Sequence, residues 1–283
     1  MKILQVNCHY NYGSTGKIMY DIDSYLSSQN IVSLQCYARG KKIKKNHVYK
    51  IAYEPICKLG KLINYLYGRP FAWGSYSTKK LINIIERESP DVIHLHCINA
   101  YTLNIYKLLN YLKANNIKTL ITLHAEFLHT GGCSYAFECN QWKSEIGCKK
   151  CEDSLRSGAV VKRTSSNWAE MKSAFEDFDR DSLILASVSP WLKNRAMKSQ
   201  ILKGYNHRVV LNGIDTDIFK MCSQSEIEFV RKKYNLNVDK ILLHVTSDFN
   251  APIKGGKYII DLAQLLKEND VNAEIIVIGP VKN

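Results

Sequence analysis

Short β-rich apolar runs alternate along this chain with longer amphipathic stretches, and that alternation constrains the fold more than any other feature of the sequence. Lys2 to Val6 predicts a strand, Gly16 to Ser28 a helix with Ile18, Ile22, Tyr25 and Leu26 on one face, and Ile31 to Tyr37 a second strand. That order is a βαβ unit. After the Ser89-Pro90 break, Asp91-Val92-Ile93-His94-Leu95-His96 reads as a buried strand, Tyr101 to Asn115 as a helix and Lys118 to His124 as the next strand. Ser182 to Val188 and Arg208 to Leu211 add two more. Such alternation implies an α/β fold with a parallel, doubly wound sheet, whose ligands bind at the carboxyl ends of the strands.

A second unit of the same kind starts late, with a strand at Lys240 to Val245, a helix at Gly256 to Glu268 and a strand at Glu274 to Ile278. A free-standing doubly wound domain normally needs over ~100 residues to cover both faces of its sheet. The expected organisation is therefore a first domain over 1–222 with a Cys-rich loop at 129–153, a charged helical connection over 223–239, and an incomplete second domain over 240–283.

With 46% apolar and 23% charged residues over 283 positions, the composition is that of a globular chain and excludes long-range disorder. The net charge of +13 is uneven: residues 1–116 carry 16 basic and 6 acidic groups, hence +10, and the remainder 23 and 20, hence +3. The first part thus faces something anionic. The apolar start of the chain is too short for a secretory signal, and no segment reaches the ~18 apolar residues needed to span a bilayer. Nine cysteines without an export signal fit a reducing cytosol, and an odd number does not fit a closed disulfide framework. The expected location is cytoplasmic, peripheral on the inner face of the cell membrane.

Four groups of residues carry candidate chemistry. Gly13-Ser14-Thr15-Gly16 follows the first strand and opens the first helix, where backbone N–H groups approach a phosphate or sugar closely; the plain alternative is a tight turn. It is not a Walker A loop, since two residues rather than four separate Gly13 from Gly16-Lys17. Next come the strand ends bearing His94, His96 and Asn99, and Thr122 and His124 with Glu126 and His129 beyond. Alternation sets His94 and His96 on one face, where metal ligation or a structural role are both open. His124, at a strand end facing the expected cleft, is the best candidate for an active-site side chain. Cys133, Cys139, Cys148 and Cys151 have the makings of a structural Cys₄ zinc site pinning a long loop, with buried thiols or reversible disulfides as the alternative. Lastly, the basic run Arg39 to Lys45, with Lys50, Lys58 and Lys61 and interleaved tyrosines, suits a solvated face, anionic lipid head groups or nucleic-acid phosphates. No nucleic-acid-binding motif accompanies it, and the membrane reading is preferred.

Taken in order, these segments resemble the GT-B glycosyltransferases, specifically the retaining group called glycosyltransferase family 4. Gly13-Ser14-Thr15-Gly16 is similar to the family's first glycine-rich loop, Asp91 to His96 to its D-V-I-H-x-H strand, and Thr122-Leu123-His124 to its T-x-H segment. Ala186 to Leu192 resembles its A-x-S-x-x-L segment, and Val210 to Phe219, with Asn212-Gly213, the V-x-N-G-[VI]-D-x-x-x-F signature before the second domain. The loop from His129 through Cys151 is similar to that of a subgroup in bacterial exopolysaccharide and O-antigen assembly. The resemblance implies a GT-B-like Rossmann N-terminal domain with an incomplete second Rossmann-like domain.

It further implies transfer of a sugar from a nucleotide-sugar to a glycan acceptor, lipid-linked by the charge argument, with retained configuration and no obligatory metal. Catalytic His124 would lie near the transferred sugar. Gly13, Ser14, Thr15, Gly16, His96, Asn99 and Asn212 would line the site, and Lys254 would neutralise the donor diphosphate. The chain departs from the pattern at Ala125, where the subgroup has Asp, and in lacking the Glu-x7-Glu pair that binds donor sugar and ribose. A chain cut short in its donor domain would be weak or inactive alone. Two other readings stand beside this one: a non-catalytic acceptor-binding subunit needing a second chain to complete the donor domain, and a zinc-containing nucleic-acid-binding module.

Overall fold

The computed structural model describes residues 1–149, 151 and 159–280. They form two compact units, Met1–Gly213 and Ile214–Asn283, and each is described by itself. The first is built on a seven-stranded sheet in the order β3-β2-β1-β4-β5-β6-β7, with every neighbouring pair parallel. Its strands are β1 (Lys2–Asn7), β2 (Val32–Tyr37), β3 (Val48–Lys50), β4 (Val92–Leu95), β5 (Thr119–Leu123), β6 (Leu183–Ser187) and β7 (Asn206–Val209). Parallel strands need crossovers, and a sheet covered on both faces reads as near-continuous apolar runs, as β1, β4 and β5 do.

Among the described residues the α-helices of this unit are α1 (Gly13–Ser28), α2 (Glu54–Tyr67), α3 (Ser75–Glu88), α4 (Ile105–Ala114), α5 (Thr164–Phe175) and α6 (Pro190–Met197). Leu4, Leu34, Ile93, Leu95, Ile121 and Leu185 are fully buried strand residues of the main core cluster, and Tyr10, Met19, Tyr37 and Val48 form a second cluster around α1. The strand-to-helix order is as expected from the sequence, but several edges differ. The expected helix Tyr101 to Asn115 begins only at Ile105, because the Asn104 side chain caps it by accepting from the Lys107 amide. The last strand lies two residues earlier than Arg208 to Leu211: His207 faces inward and its Nε2 pairs with the Leu202 carbonyl at 2.8 Å, while Val210 and Leu211 are exposed. In α1 the buried stripe is Gly16, Met19 and Asp23, and Tyr25 is exposed. Asp23 can be buried because it accepts from the Tyr10 hydroxyl at 2.8 Å, Gln35 Nε2 at 3.0 Å and Lys45 Nζ at 3.2 Å.

The second unit holds α7 (Gln224–Lys233), β8 (Lys240–Val245), a single 3₁₀ turn at Pro252–Lys254, α8 (Gly256–Glu268) and β9 (Ala273–Ile278). Strands β8 and β9 pair in parallel, Lys240 opposite Ala273 and Val245 opposite Ile278, so this is one βαβ turn. A Ser223–Glu226 capping box opens α7. Among the described residues of this unit only Thr246 and Gly256 are buried. No helix among the described residues is long and apolar enough to cross a membrane.

Candidate functional site

The loops leaving β1, β4, β5, β6 and β7 all emerge at one edge of the sheet, as parallel pairing requires. They meet at a cleft of about 370 Å³ lined by Ser14, Thr15 and Ile18 of α1, Cys97 and Asn99 after β4, His124 and Ala125 after β5, Val188 after β6, Asn212 after β7, and Ser134 and Tyr135. Strands β1 and β4 are the neighbours between which the strand order turns back, so the cleft lies at the topological switch point of the sheet.

Five residues expected at the site line it directly: Ser14, Thr15, Asn99, His124 and Asn212. Gly13 and Gly16 shape its wall. Gly13 sits at φ +65°, a left-handed conformation that favours glycine, and a Cβ on Gly16 would come within 3.2 Å of the His9 carbonyl oxygen. Tyr12 provides no side-chain cap and the first turn of α1 contains no acidic residue, so the positive end of the helix dipole faces the cleft unneutralised by its own turn. His96 lies behind the cleft, buried. Lys254 belongs to the second unit, on its exposed 3₁₀ turn, followed by Gly255 at φ +75° and by Gly256, whose Cα packs against the Phe249 carbonyl.

The histidines of β4 and β5 form a connected row. His94 and His96 rings lie with centroids 3.9 Å apart, and His96 and His124 rings 5.6 Å apart. His94 Nε2 pairs with Thr122 Oγ1 at 2.8 Å, His96 Nδ1 with His124 Nε2 at 3.3 Å, and His96 Nε2 with Gln5 Oε1 at 3.1 Å. Burial pushes the His94 imidazole down to about 4, helped by His124 nearby, and burial also pushes His124 to about 4. Burial, then the neighbours His94 and His124, holds His96 well below its ordinary value. All three rings are therefore neutral near pH 7.

Neutral bonded rings have their tautomers fixed once one of them is set. Gln5 Nε2 donates to the Met19 carbonyl at 3.3 Å, which turns Gln5 Oε1 toward His96. An amide oxygen only accepts, so His96 carries its hydrogen on Nε2 and its Nδ1 is a lone pair. His124 Nε2–H then donates to that lone pair, and the acceptor atom His124 offers is Nδ1. The arrangement makes His124 a neutral hydrogen-bond acceptor for a hydroxyl in the cleft rather than a cation.

Asn7, at the end of β1, ties the two switch-point loops together. Its Nδ2 donates to the His9 carbonyl at 2.9 Å and Thr15 Oγ1 at 3.3 Å, and its Oδ1 accepts from the Cys97 amide at 3.1 Å. Asn99 Nδ2 donates to Ser134 Oγ at 3.2 Å and brings the long loop after β5 to the rim. Gln5, Asn7 and Ser134 escape a reading of the sequence. Gln5 and Asn7 are polar residues inside an apolar strand run, the one signal that marks them; Ser134 gives none.

The long loop is anchored through Glu126. Burial acts to raise its carboxyl, but the contact with His129 at 3.4 Å, the Ala136 amide at 2.6 Å and the Arg195 guanidinium outweigh it and hold the group below the usual carboxylate range. Arg195 stacks between two indoles, 4.9 Å from the Trp142 ring and 4.9 Å from Trp191. Trp142 is wholly buried and Gly147 lies flat on Trp168. In the same loop the Cys148 thiol accepts from the Gly131 amide at 3.3 Å, and burial pushes it up to about 11, with Cys139 and Cys151 adding to the rise. Among the described residues, which include Cys133, Cys139, Cys148 and Cys151, no three His, Cys, Asp or Glu side chains are grouped to hold a metal ion. The Glu126–Arg195 ion pair and the packing of Trp142 and Trp168 anchor the loop.

No protein-family model and no curated protein matches the chain. Solved structures do. A sucrose-phosphate synthase from Thermosynechococcus elongatus superposes with a TM-score of 0.54 at 11% identity, over 98% of this chain and 71% of that one. A trehalose-6-phosphate structure from E. coli bound with UDP-2-fluoro glucose gives 0.52 at 11% identity, over 100% and 65%. A trehalose-6-phosphate synthase, OtsA, gives 0.52 at 11%, over 100% and 66%. The chain thus spans about two thirds of the length of these proteins. Its fold is the Rossmann-like α/β fold of GT-B glycosyltransferases.

Proposed function

We propose that the chain is a retaining glycosyltransferase of the family 4 type, moving a sugar from a nucleotide-sugar to a lipid-linked glycan acceptor in surface-polysaccharide synthesis. The observation that carries the reading is the cleft at the switch point, where neutral His124 offers Nδ1 to a hydroxyl beside the uncapped start of α1. A sugar needs such a surface: hydroxyl-scale donors and acceptors, with Ser14, Thr15 and Asn99 at hand, and no fixed cation to hold it too tightly. The positive end of α1 favours the negative charge that leaves with a nucleoside diphosphate. On the second unit Lys254 stands just before the start of α8, a place suited to a donor phosphate. A solved structure similar to this one is bound with UDP-2-fluoro glucose, which supports a nucleotide-sugar as donor.

The test is a titration of the full chain with a panel of nucleotide-sugars, followed by the NMR signals of the His124 ring and by heat. The expected result is saturable binding of one nucleotide-sugar that shifts the His124 signals. If no nucleotide-sugar shifts His124, the reading is wrong.

A further inference from the structure

Helix α2 is patterned the reverse of a helix resting on a core. The stripe it turns inward is small or polar: Cys57, Gly60 and Asn64 are its buried residues. Gly60 is required there, since a Cβ would stand 2.2 Å from the Trp73 ring, and Asn64 Nδ2 reaches the Tyr101 hydroxyl at 3.5 Å. Leu59, Leu62 and Leu66 repeat the same three-and-four spacing two residues on, which is about 200° around the helix. They point to solvent, 48%, 53% and 46% exposed. Water-facing leucines at helical spacing form a continuous apolar ridge.

The surroundings of the ridge are cationic and aromatic. Lys58 and Lys61 are exposed on the same helix, as are Tyr53, Tyr65 and Tyr67 around it. The single acidic residue of the helix, Glu54, is taken up by Arg39 at 3.1 Å and the Gly40 amide at 2.9 Å, which bring the loop carrying Lys41, Lys42 and Lys44 to the start of α2. At the other end the Val160 amide donates to the Tyr65 carbonyl at 2.7 Å, and exposed Val160 and Val161 extend the apolar surface.

The geometry points to this face as a membrane-docking surface, which lays the leucine ridge among the acyl chains of an anionic bilayer and sets the lysines against lipid phosphates. Its purpose rests on the lipid-linked acceptor proposed above, whereas its position rests on α2 alone. A bilayer fits better than a second copy of the chain, because a two-fold contact through this face would bring Lys58 and Lys61 toward their own counterparts with no acidic partner. Tyrosines at the margin of an apolar face suit the head-group layer, and an amphipathic helix with basic flanks binds in the plane of the interface.

Co-sedimentation of the full chain with vesicles tests this. The chain is expected to pellet with phosphatidylcholine vesicles containing phosphatidylglycerol, and less with phosphatidylcholine alone or at high salt. Leu59→Ser, Leu62→Ser and Leu66→Ser together should lower the partition coefficient at least about tenfold. Lys58→Glu with Lys61→Glu should remove the preference for phosphatidylglycerol. These side chains are exposed, so an unchanged circular-dichroism melt shows that each variant folds. A wild-type chain left in the supernatant, or a triple-serine variant that pellets as well as wild type, overturns the proposal. So does a chain that dimerises through the leucines while vesicle binding ignores them. Loss of vesicle binding beside intact nucleotide-sugar binding counts against the docking surface alone, and the reverse result against the transferase reading alone.

Discussion

Gln5 bonds His96, the middle ring of the histidine row, and its effect is felt one ring further on at the cleft. With the amide anchored on the Met19 carbonyl, the tautomer of His96 is set, and His124 in turn is left with Nε2–H and a free lone pair on Nδ1. Nitrogen NMR of the imidazoles near pH 7 should show the Nε2–H form at His124, and Gln5→Leu should yield a mixture of both forms. An unchanged His124 spectrum in that variant would mean that the row does not set the tautomer. The same neutral rings give a pH dependence whose sign is fixed. Their folded pKa values lie below the ordinary 6.5, His94 and His124 at about 4, so the unfolded chain binds protons first as pH falls. The stability they contribute is complete above pH 6.5 and is lost toward pH 4. By about pH 5 the loss is on the order of 2 kcal/mol for His94 and less for half-buried His124. Urea denaturation across that range should show it, and a flat profile would contradict the assignment.

At the scale of elements, the long loop after β5 and helix α6 form one block through Glu126 and Arg195. Arg195→Met keeps much of the contact with Trp142 and Trp191 but leaves a buried carboxylate without its cation, a loss of about 3 kcal/mol. The melting temperature should fall accordingly, whereas adding EDTA should not move it; a drop with EDTA would show that metal, not the ion pair, holds the loop. The elements also show what the sequence makes legible. Strands β1, β4, β5 and β6 are rich in apolar residues and stand out, and with them the carboxyl edge where Ser14, Thr15, Asn99, His124 and Asn212 gather. Helix α2 is invisible to the same reasoning, because a search for a core-facing apolar stripe finds Leu59, Leu62 and Leu66 and would turn them inward. The cysteines show what spacing alone leaves out. Their spacing is compatible with a tetrahedral site, yet spacing says nothing of the Gly131 amide that meets Cys148 or the indoles that occupy the loop's interior.

Across the whole molecule the two units differ in what they bury. Both core clusters belong to Met1–Gly213, while Leu243, Val245, Ile260 and Leu265 of the second unit are mostly exposed. Amides of β8 and β9 should therefore exchange with deuterium far faster than those of β1, β4 and β5, since local opening there uncovers little apolar surface. Equal protection in both units would refute this. The pairing at the centre of the sheet has a consequence for the order of assembly. Strand β1 is synthesised before the other strands of its sheet, and one of its two neighbours is β4: the Lys2 amide bonds the Asp91 carboxylate, 89 residues further along. Until that distance has been synthesised, one edge of β1 stays unpaired. The nascent chain must shield it, and refolding from denaturant must wait for a closure of that length before the sheet has a middle.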